Sequence, residues 1–269
     1  MLDEPTRQQL LALKLFAMAS AWLEQQGRAD VQALTFDERF AFLVDAQWLA
    51  RENNSLARRL KEAQLRISNA CVEDIDLVAH REIDPSQMRQ LTTCRWVVEH
   101  HNVLITGATG TGKTYLACAL AQQACRKGHR VLYRRATRLF EELTLAHADG
   151  TYGHLLERIT RIDVLVLDDF GLVPPKDAER HDLLDVLEAR EGRRSTLLTS
   201  QLPPAKWHEQ LRDPTIADAI LDRLVHNAHR LVLKGPSRRK EPPTTPGAQR
   251  EASLRSERKE TATKETAKP

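Results

Sequence analysis

No stretch of this chain reaches the roughly 20 consecutive apolar residues needed to cross a bilayer. Neither sign of charge prevails: 40 Lys and Arg stand against 37 Asp and Glu, a formal net charge of +3. A balance this even does not establish nucleic-acid binding, so the placement of the charges has to decide. Cysteine is scarce. Cys71, Cys94, Cys118 and Cys125 form no C-x-x-C pair and no zinc-type spacing, which sets aside a disulfide framework and favours reduced thiols in a cytoplasmic protein. Glycine is nearly missing from residues 1–80, where Gly27 stands alone. The apolar stretch from Leu10 to Ala21 has a small-residue end resembling a signal-peptidase site. Asp3 and Glu4 in place of a basic patch, and Lys14 within the run, make it an amphipathic helix instead.

What is present is concentrated. Gly107-Ala108-Thr109-Gly110-Thr111-Gly112-Lys113-Thr114 fits the phosphate-loop pattern G-x-x-x-x-G-K-[ST]. The glycines allow a tight turn whose N–H groups point at phosphate, Lys113 reaches the outer phosphates, and the Thr114 hydroxyl can hold Mg²⁺. An apolar run, Val103-Leu104-Ile105-Thr106, precedes the loop, and the Ala/Leu-rich run 115–121 follows it. Strand, loop, helix places the phosphates of a nucleoside triphosphate at a helix N-terminus.

Residues 1–80 read as helical. Thr35 and Glu38 form a capping box, behind which Phe36, Phe40, Leu43, Val44 and Trp48 define one apolar face. The periodicity continues through Leu56, Leu60 and Ile67, accompanied by Arg51, Arg58, Arg59, Lys61 and Arg66. Asp84-Pro85 starts a further helix towards Trp96. From about residue 100, short apolar runs at 103–106, 131–133, 164–167, 196–199 and 230–233 alternate with helical stretches. That alternation predicts an α/β fold with a five-stranded parallel sheet covered on both faces. The expected organisation is a helical domain over 1–80, a nucleotide-binding domain over 81–240 and a disordered tail over 241–269.

Val164-Leu165-Val166-Leu167-Asp168-Asp169 is a buried strand ending in two carboxylates. Beside a phosphate loop, Asp168 suits the Mg²⁺ shell and Asp169 the attacking water. Thr196 to Gln201 is another strand with a polar end. Arg223, Arg238 and Arg239 offer guanidinium groups able to stabilise charge on a transferring phosphoryl group. Spacing alone does not separate that role from a surface ion pair with Asp218 or Asp222. His226 and His229 read as helix-surface histidines rather than metal ligands.

The phosphate loop with Leu116 to Ala121, the run Leu167-Asp168-Asp169-Phe170-Gly171-Leu172, Thr199-Ser200-Gln201-Leu202-Pro203, and the segment Ala217 to Arg230 together resemble the IstB family. These are AAA+ ATPase helpers of bacterial insertion-sequence transposition, and the resemblance extends over about residues 5–240. It implies Walker A roles for Lys113 and Thr114 and Walker B roles for Asp168 and Asp169. It implies sensor 1 for Ser200, an arginine finger acting on the neighbouring subunit for Arg223, and sensor 2 for Arg239. It further implies a ring or helical homo-oligomer with ATP and Mg²⁺ at its interfaces, and a cognate transposase as partner. DNA would be gripped through the basic N-terminal helices and through Arg134, Arg135 and Arg138, largely independently of sequence. Two other readings stay open: a replicative helicase loader of the DnaC type, and a small-molecule kinase, which would need an acceptor pocket.

Overall fold

Each short apolar run forms a strand: β1 (Asn102–Gly107), β2 (Val131–Arg135), β3 (Val164–Phe170), β4 (Ser195–Ser200) and β5 (Ala228–Leu233). In a computed structural model that describes residues 3–75 and 83–235, the strands lie in the order β2-β3-β4-β1-β5. Every neighbouring pair is parallel. Parallel strands need long crossovers, and helices supply them. α1 (Asp3–Ala12), α2 (Phe16–Gln26), α3 (Ala29–Gln32) and α4 (Phe36–Ala63) precede the sheet, and α5 (Pro85–Thr92) and α6 (Arg95–Val98) lead into β1. α7 (Lys113–Arg126) joins β1 to β2, while α8 (Ala136–Asp149) and α9 (Tyr152–Thr160) join β2 to β3. α10 (Asp177–Arg190) joins β3 to β4, and α11 (Trp207–Leu211) and α12 (Pro214–Val225) join β4 to β5. Among the described residues no helix is long and apolar enough to cross a membrane.

Alternate side chains of each strand point to opposite faces, and two cores result. Val103, Ile105, Val131, Tyr133, Val164, Val166 and Leu197 pack with α7 on one face. Leu104, Leu132, Leu165, Leu167 and Leu198 pack with α8, α10 and α12 on the other. The small residues of α7, including Ala117, Cys118, Ala121 and Cys125, are fully buried and let that helix lie close against the sheet.

The N-terminal helices depart from the sequence-based expectation in two ways. The Thr35–Glu38 capping box opens α4, but the helix ends at Ala63, where Gln64 turns left-handed (φ 51°) and sends the chain towards α7. Beyond that turn the chain stays on the sheet's core, with Ala63, Ala70 and Ile75 in the same cluster as α7. The apolar face of α4 is also largely uncovered, with Phe36 and Trp48 at 69% and 66% exposure. α2 is tied to α4 through the Met18 N–H to Gln47 Oε1 and Gln25 Nε2 to Arg39 O.

The helix from Pro85 breaks before Trp96. The Thr92 and Thr93 hydroxyls bond back to the Arg89 and Gln90 carbonyls, Cys94 turns left-handed, and α6 restarts beyond it. Arg238, Arg239 and the 241–269 tail lie outside the described residues.

Candidate nucleotide site

β1 runs into the phosphate loop at Gly107, whose φ of 152° and close approach to β5 leave no room for a side chain. An added Cβ would stand 2.3 Å from the Leu233 carbonyl oxygen. Gly110 and Gly112 adopt φ of 86° and 93°, and Gly112 is the N-cap of α7. Lys113 is folded back over the loop, its Nζ donating to the Gly107 and Ala108 carbonyls at 2.8 Å each. The Thr111 hydroxyl also donates to Ala108 O and ties the loop to itself. Thr109, Gly110, Gly112, Lys113, Thr114 and Tyr115 line a cavity of about 340 Å³, closed by Ile67 and Asp74 and by Asp169 and Gln201. That volume falls in the range of small-molecule sites.

The carboxylates at the end of β3 are set apart by a bulge. Leu167 pairs with Leu198 but Phe170 with Ser200, so β3 carries one extra residue there. Asp169 absorbs the irregularity with φ 58°, a conformation uncommon for a non-glycine residue and frequent at functional sites. Asp168 is fully buried. It accepts from Thr114 Oγ1 at 3.0 Å, from the Tyr133 hydroxyl at 2.6 Å and from Thr199 Oγ1 at 2.5 Å. Burial, reinforced by the bond to Asp168, pushes the Tyr133 hydroxyl well above its ordinary pKa and keeps it a donor. Asp169 donates its N–H to Thr199 Oγ1 at 3.0 Å. Its side chain, exposed to the cavity, pairs with Arg135 Nη2 at 3.0 Å. Arg66 Nη1 lies 3.6 Å from Asp168 and 3.8 Å from Asp169.

Thr114 and Asp168 therefore meet, and Lys113 and Asp169 flank the same cavity. Ser200 does not reach it. Its hydroxyl donates to Phe170 O and accepts from Leu202 N–H and Trp207 Nε1 on the opposite layer. From the end of β4 the site receives Thr199, on the carboxylates, and Gln201, whose Oε1 accepts from Thr109 Oγ1 at 2.7 Å.

The family model described as IstB-like ATP binding protein matches residues 8–244. The chain belongs to this family. A putative insertion sequence ATP-binding protein of Sinorhizobium fredii is 45% identical over 240 residues, covering 89% of this chain and 98% of that protein. The putative ATP-binding protein of insertion sequence IS1162 from Pseudomonas fluorescens is 44% identical over 203 residues, covering 76% and 88%. Among solved structures, the crystal structure of DnaI superposes with a TM-score of 0.53 at 24% identity, over 62% of this chain and 92% of that one. AMPPCP-bound DnaA from Aquifex aeolicus gives 0.51 at 19%, over 62% and 51%. These two likenesses speak for the fold alone, the parallel sheet with its phosphate loop.

Within this IstB-like chain, Arg223 lies in α12, on the far side of the sheet from its own phosphate loop. Its Nη2 pairs with Glu188 at 2.7 Å and its Nε with Glu191 at 3.2 Å. His226 caps α12 while His229 sits in β5 against His101, so the two histidines do not share a helix face.

The basic residues expected on DNA divide into two groups. Arg51, Arg58 and Lys61 are exposed on α4 and have no ion-pair partner among the described residues. The others are engaged inside the chain. Arg59 donates to Cys125 O and Ser55 Oγ, and Arg134 is held by Glu142, Gln64 and its neighbour's carbonyl. Arg138 pairs with Glu141 and Glu142 at the surface, and Arg135 and Arg66 face the Asp168–Asp169 pair. The basic patch is smaller than the sequence suggests, because arginines also serve as internal hydrogen-bond donors.

Proposed function

We propose that this chain is an ATP-hydrolysing, DNA-binding helper of insertion-sequence transposition, working as an oligomer that recruits or activates a transposase. The observation that carries the reading is the buried Thr114–Asp168 contact at 3.0 Å beside the left-handed Asp169, at the mouth of a phosphate loop. Relatives described as insertion sequence ATP-binding proteins supply the biological setting.

The residues divide the chemistry. The loop N–H groups of residues 108–114 cradle phosphate, and Lys113 exchanges its two carbonyl partners for phosphate oxygens. Thr114 and Asp168 offer adjacent hard oxygen donors, a set that fits Mg²⁺; bound there, Mg²⁺ would neutralise charge on the phosphates. Asp169 faces the cavity and orients or deprotonates the attacking water. Gln201, the residue that follows β4, rather than Ser200, touches the terminal phosphate or that water; its contact with Thr109 of the phosphate loop supports this role. Arg223 serves the neighbouring subunit's ATP, since it points away from its own loop, and Arg239 completes the set as sensor 2. DNA is held on the exposed α4 residues Arg51, Arg58 and Lys61, and by Arg138 once it leaves its glutamates.

The test is ATP turnover with and without duplex DNA, in the wild type and in Lys113→Ala and Asp169→Asn. The reading expects turnover in the wild type alone, raised by DNA and with sedimentation showing assembly. A Lys113→Ala protein that hydrolyses ATP at the wild-type rate sinks it. A preference for single-stranded DNA together with binding to a replicative helicase would point to a helicase loader instead.

A further inference from the structure

Arg66 stands out because it belongs to the basic N-terminal helices by sequence and to the nucleotide site by position. The left-handed turn at Gln64 swings it off the axis of α4 and onto the two β3 carboxylates. Its neighbour Ile67 lines the nucleotide cavity. The Arg66–Ile67 backbone lies against the buried Cys118 thiol of α7. The root of this segment is fastened on both sides, by Arg59 Nε to Cys125 O of α7 and by Arg134 Nη1 to Gln64 Oε1 from β2.

α4 itself is 28 residues long, a rod of about 40 Å at 1.5 Å per residue. Its other half presents Phe36, Phe40 and Trp48 to solvent, with Arg51 and Arg58 following. A single helix thus connects the carboxylates that would hold a divalent cation to the outer surface of the molecule.

We propose that Arg66 is a positioning residue that competes with the divalent cation for Asp168 and Asp169, so that loading with cation and nucleotide releases the 64–75 segment and the adjoining end of α4. This rests on the ATP-binding reading above. The physical basis is charge. Asp169 is already paired with Arg135, so Arg66 brings the second guanidinium against two carboxylates. A doubly charged cation on the same oxygens meets a like charge within about 4 Å, the range where such repulsion is strongest. Arg66 is 45% exposed, so it can leave for solvent at little cost, and solvent screening keeps the competition modest. α4 then senses the site through Arg66.

The experiment is binding of a fluorescent, non-hydrolysable ATP analogue to the full chain at fixed nucleotide, titrated with Mg²⁺. Arg66→Ala is expected to lower the half-saturating Mg²⁺ concentration by about three- to fivefold, the size of a partly screened ion pair. Arg66→Lys, which keeps the charge, is expected to stay within about twofold of the wild type. Hydrogen exchange gives the second readout: amides of residues 60–75 should open when Mg²⁺ and nucleotide are added to the wild type, and should already be open in Arg66→Ala without them. An unchanged Mg²⁺ dependence overturns the proposal. So does weaker binding in Arg66→Ala, which would make Arg66 a phosphate ligand. Failure of the wild type to bind the analogue, with Lys113→Ala behaving identically, would instead remove the ATP-binding reading beneath it.

Discussion

Thr199 allows the coupling between the two carboxylates to be tested by one nearly isosteric change. Its hydroxyl donates to buried Asp168 at 2.5 Å and accepts the Asp169 N–H at 3.0 Å, so a single oxygen clamps both sides of the β3 bulge. Thr199→Val keeps the shape and removes that oxygen. Loss of a hydrogen bond to a charged, buried acceptor costs about 1.5–3 kcal/mol, and the stranded Asp169 N–H adds roughly 1 kcal/mol because the site is only partly closed. The sum is about 2.5–4 kcal/mol, a large share of the 5–15 kcal/mol typical of a domain. For a core of this size it corresponds to a fall in Tm of roughly 5–16 °C. Urea unfolding followed by tryptophan fluorescence measures it, with an unchanged m-value showing that only stability moved. The same variant should lose at least about tenfold in ATP turnover, equivalent to ~1.4 kcal/mol in the barrier, because Asp169 no longer has its backbone anchor. Thr199→Ser restores the hydroxyl and should recover most of both effects. A Thr199→Val protein within about 0.5 kcal/mol of the wild type, turning over ATP normally, would refute the reasoning.

Three further outcomes are expected. Gly107→Ala should destabilise the chain by at least about 2 kcal/mol, from backbone strain and the forced shift of the Leu233 carbonyl, and should weaken nucleotide binding; calorimetry and the fluorescent analogue read the two effects. Thiol labelling of the native protein should report one fast site, Cys71. Burial pushes Cys94 up to about 11 and Cys125 up to about 12, from an ordinary value of 9.0. Because those folded-state values are raised, the thiols' contribution to stability is complete below pH 9 and lost as pH climbs towards 11–12, which a denaturation series at rising pH measures. Mixing Arg223→Ala with Lys113→Ala should restore part of the ATP turnover each lacks alone, since one variant keeps the loop and the other the finger; no recovery at any ratio argues against a shared site.

The sequence announces this fold because its signals are local. Parallel strands buried on both faces appear as uninterrupted apolar runs, as at 103–105 and 164–167, while β4 and β5 keep the apolar run with polar residues at its ends. The phosphate loop and the pair ending β3 are also contiguous, so they can be read without knowing the sheet. The supporting residues are not contiguous: Tyr133 and Arg66 reach Asp168 from 35 and 102 positions away, and only the β2-β3 register and the turn at Gln64 bring them there.

Yet part of that hidden set follows from alternation along the strands. Asp168 must face the layer that holds α7, because it meets Thr114 at the first turn of that helix. Val164 and Val166 share its parity and lie in the α7 core, as do Tyr133 with Val131 on β2. On β4, Leu197 belongs to the α7 core and Leu198 to the opposite one. Period-two alternation then sends Thr199 to the carboxylates and Ser200 to the other face, where its hydroxyl meets Trp207. Ser200 is one residue on from Thr199, and in a strand one residue is the whole thickness of the sheet.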